Sequence, residues 1–225
     1  QQLSPEWQLE DGRFGVLTLP ALNTIGDQDG KKAIGYSSAV RDGLTTMDEA
    51  DICGWIIDLR QNRGGNMWPM LRGLDPILGP SPFGMFLKKA GQKENWVRAN
   101  GYIFPTSENL PETPVSFNLK HENAPLAVLV GPNTASSGEM VAIAFIGRKD
   151  VRHFGRPTAG LTSANTKHAL IDGAYLVLTG AGVSDRLGRE YTGAIIPDEQ
   201  VDVDQAKSAA KLWLEEQCQK DSSAL

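Results

Sequence analysis

Residues 125–147 read PLAVLVGPNTASSGEMVAIAFIG: an apolar run, a polar turn and a second apolar run. The first run, Leu126 to Val130, has the length and boundaries of a buried strand. The second, Ser136 to Ile146, is apolar nearly all round, as a buried helix is. Gly131, Pro132 and Asn133 stop the strand, so Ser136 and Ser137 fall in the first helical turn. There the unpaired backbone N–H groups and the positive end of the helix dipole favour developing negative charge. A serine at such a joint suits nucleophilic chemistry. The same letters also spell a capping box, S-x-x-E, in which Ser136 and Glu139 merely close the helix start. This segment alone does not choose between the two.

Upstream, Cys53 to Asn66 read CGWIIDLRQNRGGN, a second buried strand running into a polar turn. Gly64 and Gly65 can take backbone angles closed to other residues and can present N–H groups to a bound oxygen. Strand and helix patterns alternate around these two joints. A strand at Arg13–Leu19 precedes a helix from about Asp29 to Asp48, with Ala33, Ser37, Val40, Leu44 and Met47 at helical spacing. The strand at 53–59 precedes a helix from about Asn66 to Leu78. After the Ser136 helix come strands near 151–155, 166–171 and 174–179, then a closing helix from about Asp204 to Gln217. This order predicts an α/β fold with a largely parallel sheet and right-handed crossovers. Residues 79–124, with Pro80, Pro82, Pro105, Pro111 and Pro114 among short alternating runs, break the pattern. They read as an inserted β-rich flap on a single domain spanning 1–225.

Composition removes several classes. With 225 residues, 40% of them hydrophobic, the chain can bury a substantial core. It carries 22 Lys plus Arg against 27 Asp plus Glu, and this mild acidity without a basic block argues against a nucleic-acid partner. No apolar run approaches the roughly 18 residues of a membrane span, and no basic-then-apolar secretion pattern opens the sequence. Two cysteines, Cys53 on a predicted strand and Cys218 near the end of the last helix, leave a bond between them open. No Cys/His spacing suits a metal, and no phosphate loop or dinucleotide fingerprint is present. No metal or organic cofactor is therefore expected.

Taken in this order, IIDLRQNRGG and then NTASSGE resemble the serine peptidase family of the C-terminal processing (tail-specific) proteases and the tricorn core protease. The usual forms there are a DLR-N-x-GG turn and a T/S-A-S-x-x-E helix start. The resemblance runs from DGRFGVLTLP at 11–20 to AIIPDEQVD at 194–202. It implies a crotonase/ClpP-like core acting on polypeptides. The nucleophile would be Ser136, and the oxyanion donors would be the Ser137 N–H and one from Gly64 or Gly65. It also implies a periplasmic or secreted location. On chemistry alone Ser137 is the rival nucleophile, and only the motif register prefers Ser136. No PDZ module, which processing proteases often carry between the N-terminal region and the core, is expected here.

The processing branch uses a lysine base in a T-F-G-K-G motif, where this sequence has Thr158-Ala159-Gly160-Leu161-Thr162; Lys167, further on, is a poor substitute. The tricorn-like branch uses Ser, His and Glu. Its E-x-x-G-x-x-P-D spacing is met by Glu190, Gly193, Pro197 and Asp198, so the resemblance assigns Glu190 the support of the base. That branch's histidine lies in a D-x-H-S/T motif ahead of the strand matching GRFGVLTLP, where this sequence has QQLSPEWQLED. His121, His153 and His168 are weak replacements, so an upstream histidine is expected. The rival reading is a non-catalytic ligand- or peptide-binding domain on the same scaffold, as in retinoid-binding relatives; acyl-CoA chemistry of the crotonase kind is a third. Neither needs a serine facing a glycine turn.

Overall fold

A computed structural model describes residues 4–99, 102–106 and 118–222. At its centre, short apolar runs pair side by side in one sheet. These are β1 (Glu6–Glu10), β2 (Phe14–Thr18), β3 (Gly54–Asp58), β7 (Leu126–Val130), β8 (Val151–Gly155) and β12 (Glu199–Gln200), in the order β1-β2-β3-β7-β8-β12. Only β1 runs antiparallel to its neighbour; the pairs β2–β3, β3–β7, β7–β8 and β8–β12 are parallel. Parallel strands with both faces covered read as continuous apolar runs, which is how β3 and β7 read in sequence.

Alternation along these strands divides the core. Phe14, Val16, Ile56, Ala127, Leu129 and Phe154 face α4 (Ala206–Ser222), meeting Ala206, Ala210 and Leu214. Leu17, Trp55, Ile57, Leu126, Val128 and Val130 point the other way. There they meet side chains of α1 (Lys31–Asp48), α2 (Met67–Leu74) and α3 (Ser137–Phe145). The helices begin and end for local reasons. Asp27 accepts hydrogen bonds from the Lys32 and Ala33 N–H groups ahead of α1, while Asn66 caps α2 through the Trp68 N–H at 3.1 Å. α2 stops at Leu74, short of the expected Leu78, because the chain tightens into a 3₁₀ turn at Asp75–Leu78 containing Pro76.

A second sheet, antiparallel, lies beyond the helices. It orders as β11 (Glu190–Tyr191), β10 (Tyr175–Asp185), β4 (Gly84–Leu87), β5 (Lys93–Ala99) and β6 (Tyr102–Pro105), with β9 (Ala164–Ala169) paired along the first half of β10. The segment expected as a flap thus supplies β4, β5 and β6. Phe83, Trp96 and Ile103 from it enter the main core. Its residues 107–117 lie outside those described. One bond staples the layers: Cys53, just before β3, forms a disulfide with Cys218 on α4, with the Cα atoms 5.8 Å apart.

Candidate active site

The two strand-to-turn joints singled out in the sequence meet. Past β7, the Thr134 hydroxyl donates to the Leu59 carbonyl at 2.8 Å, and the Ala135 N–H donates to the Asn62 carbonyl at 3.0 Å. Asn62 is fully buried and organises its own turn, its Oδ1 accepting from the Gly64 N–H at 2.9 Å. This is an Asx turn. The Ser137 hydroxyl donates to the Gly65 carbonyl at 2.5 Å. Gly64 lies so close that a Cβ there would stand 2.8 Å from the Ser136 Cβ and 3.1 Å from the Ser137 nitrogen.

Ser136 sits at the cap position of α3 with φ 52° and ψ −119°. That conformation suits glycine and costs a serine roughly 1–3 kcal/mol, strain that concentrates at functional sites. It gives the sharp strand-to-helix turn that lifts a serine hydroxyl out of a sheet edge. The expected capping contact also exists: the Glu139 carboxylate accepts from the Ser136 N–H at 2.9 Å. The cap and the strained serine coexist at one residue. Beside it, the Ser137 and Gly65 N–H groups have no hydrogen-bond partner among the described residues, whereas the Gly64 N–H is taken by Asn62. Of the two glycines, Gly65 is therefore the one with a donor to offer.

Ser136, Ser137, Gly64 and Gly65 all line a cavity of about 1020 Å³. Met67, Trp68, Phe86 and Met140 give it an apolar wall, and Arg63, Lys88, Lys89 and Glu94 add charge, with Lys88 paired to Glu94 at 2.7 Å. Asn165, Thr166 and Val177 of the β9–β10 hairpin form the far side.

The remaining sequence candidates are not gathered there. His121 is occupied at the end of α1, its Nδ1 2.9 Å from Asp48. His153 is buried beneath α3, its Nε2 3.0 Å from the Ala142 carbonyl. The hydrogen bond from the His153 ring to Asp198, helped by one from the His153 backbone N–H, holds the Asp198 carboxyl below its usual range. His168 lies exposed on β9 opposite Leu176. Lys167 neighbours it in the strand, and its side chain is outside what is described. Glu190 is exposed on β11 and opens on a different cavity, of about 490 Å³, together with His153, Tyr191 and Asp198. That cavity abuts Phe145 and Ile146, at the end of α3 opposite Ser136. Glu190 is not among the residues lining the Ser136 cavity.

Sequence reading missed two residues that build the site. Asn62 had a signal in the N-x-G spacing of an Asx turn. Thr158, whose hydroxyl reaches the Glu139 carboxylate at 2.5 Å, was marked only by its match to the first residue of the T-F-G-K-G motif.

An α/β core that sets a strained serine against a glycine turn with free N–H groups defines a class of hydrolase-like scaffolds. Within that class the chain belongs to Peptidase family S41, whose model matches residues 13–201. It is 34% identical over 216 residues to the nisin-resistance protein of Lactococcus lactis subsp. lactis, covering 96% of this chain and 64% of that protein. Among solved structures it is similar to a lipoprotein from Streptococcus agalactiae, at 30% identity and a TM-score of 0.80, covering 96% of this chain and 70% of the other. The photosystem II D1 C-terminal processing protease shares the fold, with a TM-score of 0.62 at 19% identity over 89% of this chain and 49% of the other. The chain thus spans less than two thirds of the length of the nisin-resistance protein.

Proposed function

We propose that this chain is the core of a serine endopeptidase. The observation that carries the reading is Ser136, held at φ 52° beside two unpaired N–H groups, Ser137 and Gly65. In this mechanism the Ser136 Oγ bonds to the carbonyl carbon of the scissile peptide and its proton passes to a base. The carbonyl oxygen takes the negative charge between the two N–H groups. The C–N bond then breaks, the amine leaves with the proton from the base, and water hydrolyses the acyl-enzyme by the reverse relay. No metal or organic cofactor enters these steps. The base is a histidine from outside the described residues, since none of His121, His153 and His168 lines the cavity. Glu190, which lines the neighbouring cavity, supports that histidine directly or through a relaying hydroxyl.

The substrate is a polypeptide lying along the Met67–Trp68–Phe86 wall. A location outside the cytoplasm fits the Cys53–Cys218 bond, which belongs to an oxidising compartment, and fits a relative described as a lipoprotein. Among the described residues no helix is long and apolar enough to cross a membrane. A second reading, a binding domain without catalysis, draws on the same observation that none of His121, His153 and His168 lines the cavity.

Fluorophosphonate labelling separates the two. Stoichiometric attachment in the wild type, absent in Ser136→Ala and retained in Ser137→Ala, supports the peptidase, and attachment should be faster by about 10² to 10⁴ in a longer polypeptide carrying the upstream histidine. No attachment in either length supports the binder, and retention in Ser136→Ala with loss in Ser137→Ala moves the nucleophile by one residue.

A further inference from the structure

Glu139 is fully buried, and among the described residues no cation stands against its carboxylate. Four donors do instead. One oxygen accepts from the Ser136 N–H at 2.9 Å and the Leu161 N–H at 2.8 Å. The other accepts from the Thr158 hydroxyl at 2.5 Å and the Gly160 N–H at 2.8 Å. A helix cap needs only the first of these. The other three tie the nucleophile turn to residues 158–161, and Thr158 carries the link onward, its N–H donating to the Ile195 carbonyl at 3.1 Å and its Oγ1 accepting from the Ile195 N–H at 2.8 Å. Ala159 closes the circuit by donating to the Thr134 carbonyl at 2.9 Å. Just beyond this loop the chain reaches Ser163–Thr166, which line the Ser136 cavity.

We propose that Glu139 is a positioning residue: its buried carboxylate holds Ser136 in its strained reactive conformation and locks that turn to the 158–161 loop, so that nucleophile and cavity wall are set as one unit. This rests on the reading of Ser136 as the nucleophile. Charge is essential to the device. A glutamine of the same shape has one acceptor oxygen, and its NH₂ must face either the Ser136 and Leu161 N–H groups or the Gly160 N–H. In the second orientation Thr158, already accepting from Ile195, would have to turn from donor to acceptor. Either way at least one N–H of the turn or the loop loses its partner.

The test uses Glu139→Gln, Thr158→Val and the double variant, each followed by thermal melting, fluorophosphonate labelling rate, and kcat and KM on a peptide. The expected result is a kcat and a labelling rate at least 30-fold lower in Glu139→Gln at temperatures where it stays folded, with KM within twofold. Thr158→Val should lose a smaller factor, and the double variant no more than Glu139→Gln alone, the non-additivity of one connected unit. Lowered melting with wild-type kcat in the folded protein would reduce Glu139 to a cap and overturn the proposal, as would multiplying losses in the double variant. Should Glu139→Gln fail to fold, Thr158→Val carries the test through amide hydrogen exchange: joint loss of protection at Ser136, Gly160 and Leu161 supports the unit, and loss confined to Gly160 overturns it. Exchange does not depend on catalysis, so an unlabelled wild type would sink the peptidase reading while the clamp is still decided.

Discussion

Gly65 shows how narrow the tolerances at this site are. A Cβ on it would meet the Leu22 carbonyl oxygen at 2.0 Å, and its φ is +112°. That carbonyl is not free to retreat, because it accepts from the Asn66 N–H at 2.8 Å. Gly65→Ala is therefore expected to lose more than about 2 kcal/mol of stability, measured by denaturant unfolding, and to slow fluorophosphonate labelling by displacing the free N–H. Gly12→Ala is the control. Its φ is +65° with nothing within 4 Å of the added methyl, so only the backbone conformation is penalised, by about 1 kcal/mol. At this scale the serine and the glycine pair were legible in the sequence, because each motif is local and its geometry follows from its own few residues. Which glycine offers a donor was not legible, since that depends on where the Asn62 side chain goes. Nor was the place of Glu190, because spacing along a chain does not say at which end of a helix a returning strand emerges.

Among the elements, the helices and buried strands of the core were readable from periodicity, and their errors are confined to ends. The closing helix runs to Ser222, past the expected Gln217, because its apolar face continues to Cys218. The second sheet was harder. β10 extends to Asp185, beyond the expected 179, and the glycines at 180 and 182 hid its second half. β1 was overlooked altogether. It is an edge strand with Trp7 and Leu9 about two-fifths exposed, so its alternation carries little apolar contrast. β11 is only two residues long, paired to Val183 and Ser184, and the prediction at this scale concerns it. If Glu190 supports the base, Glu190→Gln lowers kcat by tenfold or more in a longer polypeptide carrying the upstream histidine and leaves KM unchanged. A loss confined to KM would make it a substrate contact, and no change in either would remove it from the mechanism. Tyr191 beside it, its hydroxyl pushed up by burial and by its bond to Asp185, stays protonated across any such assay.

For the molecule as a whole, an α/β fold with a largely parallel sheet was predictable from the alternation of strand and helix, while the cross-links between layers were not. The Cys53–Cys218 bond closes a loop of 165 residues. Loop entropy gives such a closure an upper value of about 5 kcal/mol, so Cys53→Ser with Cys218→Ser is expected to cost about 2–5 kcal/mol in reversible unfolding. An unchanged midpoint would mean that α4 packing alone secures that face.

A second tie acts at the opposite end of the same strand. Arg60, gripped by Asp58 at 2.6 Å and with its guanidinium pKa raised by that bond, donates to the Val203 carbonyl at 2.7 Å, just ahead of α4. The strand that delivers the glycine turn is thus buckled at both ends to a segment made long after it. A ribosome releases β3, β7 and the serine turn while the Phe14–Ile56–Leu129 face still lacks its lid. The nascent polypeptide accordingly covers both faces of its central sheet only once its last described helix has emerged.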